Sequence, residues 1–379
     1  MEDKLSFESA LIGEIMANLN NEYSDNHDDY RFGVLPKEKL KIKYLIKKPL
    51  VTLLIKRDYY KHLDKTFSQP AAAFKGIDRY FSGLRELFNS LANDESKHLL
   101  LKLIAFRTLG YKKVKLPLSS RDYWASVKEI EKITDFADEI PIKFMSWSLF
   151  MIDLHKINIP IKLYFSPVAV YIDFILKQYE YRTQEKTIKV KRGDYVIDAG
   201  GCFGDTALYF ANEVGDGGKV YTYEFIPSNL AVLDKNLSLN PHLKPTIHVI
   251  DKPVWENSDV PMYFIDNGPG SRVFMEAVEN HDGQANSLSI DDLVERQNIP
   301  RVDFIKMDIE GAEPFALKGA LETIKKFRPT LAIAIYHSWD DFINIPAYIL
   351  SLNLGYRLYL GHYTIHAEET IIFAEAVDL

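Results

Sequence analysis

Asp198, Gly200 and Gly204 stand in the stretch DAGGCFGDTALYF (198–210), directly after the apolar run YVI. A carboxylate, two glycines set four residues apart and then a helical pattern make a strand-to-helix turn where main chain can approach a ligand and free N–H groups face it. The Gly-x-Gly-x-x-Gly spacing of a dinucleotide loop is missing. A carboxylate at the strand end repels a pyrophosphate and attracts an ammonium. The next apolar run, KVYTYEF, closes with Glu224 and Phe225, where a carboxylate accepts hydrogen bonds from a ribose diol. The third, TIHVID, ends in Asp251, placed for an adenine amino group.

A ligand with an ammonium, a diol and an adenine is S-adenosylmethionine. The expected cofactor contacts are therefore Asp198, Gly200, Gly201, Cys202, Phe203, Gly204, Glu224, Phe225 and Asp251, with Asp308 at the amino acid end and Cys202 contributing main chain rather than thiol. Methyl transfer from a sulfonium is an in-line displacement that needs an aligned nucleophile and removal of its proton. Asp308 closes the run VDFIKMD, Glu310 follows it, and His337 follows TLAIAIY; an imidazole has an ordinary pKa near ~6.5, suited to a base. Lys306 shares a strand face with Asp308 and is expected to pair with a carboxylate in that layer. Each has a plainer reading: a turn without ligand, a structural histidine, acids that cap the following helix. A second mechanism places Mg²⁺ on Asp308, Glu310 and Asp340 or Asp341; the metal-free base is favoured, so no residue is assigned to a metal.

These residues need a scaffold that brings strand ends together. From Gly193 onward short β-rich runs alternate with helical ones, the pattern of a parallel sheet with helices on both faces. The last two runs, RLYL and TIIFAE, are too close for a crossover and must pair antiparallel at an edge. Residues 256–287 carry two strand-like pieces around Asn267-Gly268-Pro269-Gly270 and read as an inserted hairpin or flap. Upstream, helical spacing is visible in GLRELFNSLAND and from Ser96 to Gly110. The division expected is a mostly helical N-terminal domain over 1–185 and a cofactor-binding domain over 186–379.

The chain has 379 residues and a net charge of −7, which splits into +8 for residues 1–192 and −15 for 193–379. The acidic second part argues against nucleic acid as partner. Residues 37–61 carry nine basic side chains against Glu38 and Asp58, as for peripheral contact with an anionic membrane or an anionic acceptor, or for an ordinary solvated face. One cysteine, no bilayer-length apolar run and no leader pattern lead to the expectation of a cytoplasmic protein.

The segments GDYVIDAGGCFGDTALYFA, KVYTYEFIPSNLAVLDKNLSLNP, DNGPGS, SIDDLV and above all DFIKMDIEGAEPFALKGA resemble the FkbM-type S-adenosylmethionine-dependent methyltransferases over about residues 178–374. Lys306-x-Asp308-x-Glu310-Gly311-x-Glu313 is the most specific part. The resemblance implies a class I methyltransferase, Rossmann-like, with a seven-stranded mostly parallel sheet. It also implies O-methylation, often of a sugar or glycosylated product, so the expected partner is a sugar or glycoconjugate, free or nucleotide- or lipid-linked. A cofactor-binding protein without turnover and a methyltransferase for a non-sugar acceptor are the alternatives. Gly201-Cys202-Phe203 departs from the family's commoner pattern and is expected to alter loop packing.

Overall fold

The computed structural model describes residues 6–32 and 77–377; the basic segment 37–61 lies outside the described residues. The N-terminal part is helical as far as residue 131, with helices Phe7–Asn18, Phe81–Ser90, Asp94–Leu109 and Arg121–Glu131. The third of these is capped three residues before the expected Ser96 and has Gly110 as its C-cap, as expected. Its N-cap is Asn93, whose side chain accepts the Ser96 N–H. The Ser96 hydroxyl is engaged elsewhere, accepting from the Leu360 N–H at 2.9 Å.

After the helices the expected helical character gives way to an antiparallel sheet of β1 (Thr134–Pro141), β2 (Ser148–Asp153) and β3 (Lys162–Phe165). The first strand, TDFADEIP, shows no alternation because it is solvent-facing along nearly its whole length. A hairpin, β4 (Tyr181–Arg182) and β5 (Thr187–Ile188), straddles the expected boundary at 185/186.

The remaining strands are β6 (Tyr195–Ala199), β7 (Lys219–Tyr223), β8 (Ile247–Ile250), β9 (Pro261–Ile265), β10 (Arg272–Phe274), β11 (Gly283–Asn286), β12 (Phe304–Met307), β13 (Thr330–Ala334), β14 (Tyr356–His362) and β15 (Thr370–Ala376). Seven of them form the central sheet in the order β14-β15-β13-β12-β6-β7-β8. The five from β13 to β8 run parallel, and β15 is antiparallel to both β13 and β14, as the short connection requires. The strand order reverses between β6 and β12, the place where open α/β sheets receive ligands. The flap is a separate three-stranded sheet, β10-β9-β11, so the expected hairpin has gained a third strand.

Alternation along the buried strands loads both faces of the sheet. Val196, Phe304 and Ala332 point into one core, with helices Asp205–Val214 and Pro227–Leu239. Ile197, Ile305 and Leu331 point into the other, with helices Glu313–Lys318, Leu321–Phe327 and Trp339–Ser351. The N-terminal part joins both cores. Leu84, Leu100 and Leu103 pack with Ile197 and Leu331, while Val127, Leu163 and Phe174 pack with Val196 and Phe304. No helix among the described residues is long and apolar enough to cross a membrane.

Shared cores predict shared stability. Leu103→Ala, at a fully buried position of an N-terminal helix, is expected to cost about 2–5 kcal/mol. The loss should appear in urea as one transition, seen identically by tryptophan fluorescence and far-UV circular dichroism. An earlier, separate transition of the N-terminal part would refute the shared core.

Candidate functional site

Parallel pairing in register sets Lys306 of β12 beside Asp198 of β6. Both side chains are essentially inaccessible, and Lys306 Nζ lies 3.1 Å from Asp198 Oδ1. The other carboxylate oxygen accepts the hydroxyls of Thr206 and Thr222, each at 2.9 Å. Lys306 also donates to the carbonyls of Gly200, at 2.6 Å, and Ala199, at 3.2 Å. The expected pair with a carboxylate thus forms, with Asp198 as the partner. Asp198 is consequently neutralised and lies behind the ligand-facing wall, which differs from its expected contact with a cofactor ammonium.

The turn above this pair is shaped by its glycines. Gly200 has φ 91°, and a Cβ there would sit 2.0 Å from the Asp308 carbonyl oxygen. Gly201 packs on Thr222, and Gly204, at φ 82°, opens helix Asp205–Val214. Two concavities meet at this turn. A slot beside Glu224, Phe225, Lys252 and Val254 joins a cavity of about 1190 Å³, and Gly200, Cys202, Pro269, Asp308 and Glu310 line both. Phe203 is buried in the cavity wall. The Cys202 thiol is pushed well above its ordinary pKa by burial, in keeping with a main-chain role.

Glu224 is held for its place: Oε1 accepts the Phe225 and Ile226 N–H groups at 2.7 Å each, and Oε2 accepts from Asn229 at 3.2 Å. Oε1 is filled by its two donors and Oε2 keeps a free lone pair, so the carboxylate can accept a ribose hydroxyl in the slot. Asp251 differs from expectation, being exposed and off the slot wall; Lys252, Pro253 and Val254 take that position. The reason is the strand end, where the chain turns inward only after Asp251.

His337 gathers the acids. Its Nε2 lies 3.4 Å from Asp308 and 4.0 Å from Glu310, and its Nδ1 lies 3.4 Å from Glu313. Burial works against a charged imidazole, but Glu313, Asp308 and Glu310 outweigh it and raise its pKa. Desolvation pushes Glu310 and Glu313 up to about 7 against the pull of His337. Asp308 accepts the hydroxyls of Tyr179 at 3.2 Å and Tyr336 at 3.1 Å. Among the described residues, Asp308, Glu313 and His337 are the one group of three whose donor atoms lie within 4.8 Å of one another. The alternative grouping with Asp340 or Asp341 does not form; Asp341 begins a helix capped by Ser338. Glu313, read from sequence only as part of a motif and a helix start, is the fully buried member of the cluster.

Sequence reasoning missed Tyr179 and the carboxyl pair Asp173 and Asp205, all of which line or border the cavity. Asp205 follows the glycine turn directly and was within reach; Asp173 and Tyr179 precede β6 in a segment with no periodic signal.

An open sheet with this strand order, a glycine turn at the switch point and an acidic residue at the end of the next strand define the class I methyltransferase fold. Residues 198–358 match the methyltransferase FkbM domain. The methyltransferase FkbM from Methylobacillus flagellatus is similar at 19% identity with a TM-score of 0.51, over 79% of this chain. The match spans 60% of that chain. An O-methyltransferase from Bacillus cereus aligns at 12% identity and TM-score 0.34, covering 55% of this chain and 79% of its own. A fibrillarin pre-rRNA processing protein from Methanococcus jannaschii aligns at 16% and 0.34, covering 54% and 75%. No curated protein sequence matches.

The pair beneath the turn is open to test. Lys306→Met leaves Asp198 buried and uncompensated, and is expected to lower stability by about 3–5 kcal/mol in urea denaturation. Adding Asp198→Asn should restore part of the loss; a double variant as unstable as the sum of the two single ones would deny the coupling.

Proposed function

We propose that the protein is an S-adenosylmethionine-dependent O-methyltransferase acting on a hydroxyl of a sugar or glycoconjugate. The observation that carries the reading is the meeting of slot and cavity at Gly200, Asp308 and Glu310. The slot takes the nucleoside, with Glu224 at the diol. The cofactor supplies the electrophilic methyl group, and the chain's own residues align the acceptor and receive its proton. Glu310 stands where slot and cavity join, with a pKa near neutrality suited to a base. His337 lines only the cavity and sits behind Glu310 and Asp308 as a cationic partner. In this proposal the base expected at His337 is Glu310, and His337 tunes it. Asp308, fixed by two tyrosine hydroxyls, orients the acceptor hydroxyl, and Lys306 positions the glycine turn.

A ring with hydroxyl edges and apolar faces suits the cavity, whose wall carries Phe136, Phe144, Trp147 and Phe150 beside carboxylates. Among the described residues, acidic side chains outnumber basic ones there; Arg31 is engaged by Glu368 at 2.7 Å and Lys306 by Asp198, leaving Arg272 as the described Lys or Arg facing the space. This supports a neutral acceptor over a nucleotide-linked one.

For a base that ionises near 7, kcat/KM should rise with pH through about 7 and level above it. Glu310→Gln is expected to lower kcat about 10²- to 10⁴-fold and abolish that rise. In His337→Ala the carboxyl loses the cation that lowers its pKa, so the rise should move to higher pH; a shift the other way would reject the assignment. Because His337 supplies the charge that neutralises Asp308 and Glu313, methyl transfer is expected to survive exhaustive EDTA. Loss restored by a divalent ion would instead place a metal on that trio.

A further inference from the structure

Asp205 is the first residue of helix Asp205–Val214, and Asp173 lies in the single π-helical turn Tyr171–Leu176 contributed by the N-terminal part. Both line the large cavity next to the glycine turn, and they are 6% and 8% exposed. The two carboxyl groups are close enough to influence each other's ionisation. Asp205 Oδ1 is buried with no donor. An acceptor oxygen left in this state costs free energy unless a ligand supplies the donor. Burial first, and then Asp205 and Glu369, push Asp173 well above the ordinary carboxylate range, while burial raises Asp205 to about 6. Asp205 is the more readily ionised of the two, so the pair presents negative charge to the cavity.

Lys306, the nearest cation to both, is already occupied by Asp198 and two carbonyls. Asp198 itself is closed off by that pairing. The position beside the turn that calls for a cation is thus the one at Asp173 and Asp205. A primary ammonium matches it in charge and brings three N–H donors, enough to reach Asp205 Oδ1 and the Asp173 carboxyl.

We propose that Asp173 and Asp205 are the receptor for the α-ammonium group at the amino acid end of the cofactor. The inference rests on the methyltransferase reading above. It makes the N-terminal part a contributor to cofactor binding, because the catalytic half supplies only one of the two acids. The π turn is what swings Asp173 toward the turn; such single turns recur at functional sites.

Two ligands separate the outcomes in calorimetric titration: S-adenosylhomocysteine, and the same molecule with hydrogen in place of its α-amino group. The unmodified chain should bind the amine-bearing ligand on the order of 10- to 100-fold more tightly. Asp205→Asn and Asp173→Asn should each weaken S-adenosylhomocysteine binding by about tenfold or more and leave the deaminated ligand within about twofold. Thermal denaturation of the ligand-free variants checks folding, and each substitution serves as control for the other. Equal binding of both ligands by the unmodified chain would overturn the proposal, as would equal losses for both ligands in the variants or an effect confined to acceptor KM. Failure of the unmodified chain to bind either ligand would overturn the methyltransferase reading and this inference with it.

Discussion

The buried pair of Lys306 and Asp198 is the interaction on which the site depends. It joins the two strands that flank the switch point, and Thr206 and Thr222 tie the same carboxylate to the following helix and to β7. Taking both charges out of water is costly, and the pair persists because the charges lie 3.1 Å apart while Thr206, Thr222 and two carbonyls supply hydrogen bonds around them. The Lys306 bonds to the Ala199 and Gly200 carbonyls hold the turn in place. That fixes the close contact of Gly200 with the Asp308 main chain. Asp308 is thereby delivered to the hydroxyls of Tyr179 and Tyr336, and one ion pair sets the positions of residues on both sides of the reaction centre.

Around this fixed centre the titration behaviour is collective. Glu310 and Glu313 sit near 7 and Glu369 near 8, all raised chiefly by desolvation, while His337 is raised by the acids it faces. Lone carboxylates at such depth would be prohibitively expensive to ionise. A shared set of protons lets the cluster change its charge in small steps as ligands arrive. Glu310 adopts φ 57°, an uncommon conformation for a side chain with a Cβ, which aims it toward the junction of slot and cavity. Strain of this kind survives only where neighbours impose it.

Much of the sheet was legible because buried strands announce themselves by apolar runs, and the glycine turn because φ near +90° restricts residue choice. The antiparallel edge followed from loop length alone. Lys306 shows where legibility stops: a period of two puts it on the face of Asp308, but only the register of β12 against β6 names Asp198 as its partner. Asp251 failed for a similar reason, since the last residue of a strand and the first one facing the ligand need not coincide. The sheet β1-β2-β3 was invisible because its first strand is solvent-facing along nearly its whole length. Asp173 has no local motif; its role arises from a helix irregularity that brings it next to Asp205.

The bond from the Leu360 N–H to the Ser96 hydroxyl joins positions 264 residues apart. With the packing of Leu100 and Leu103 against Ile197 and Leu331, it means that the first helices made bury only part of their apolar surface on one another until later strands exist. During synthesis the ribosome must release β14 and β15 before the apolar faces of those helices can be covered. Production of the folded protein is thus paced by completion of the chain, and the nascent N-terminal part is the stage at which chaperones have the most to shield.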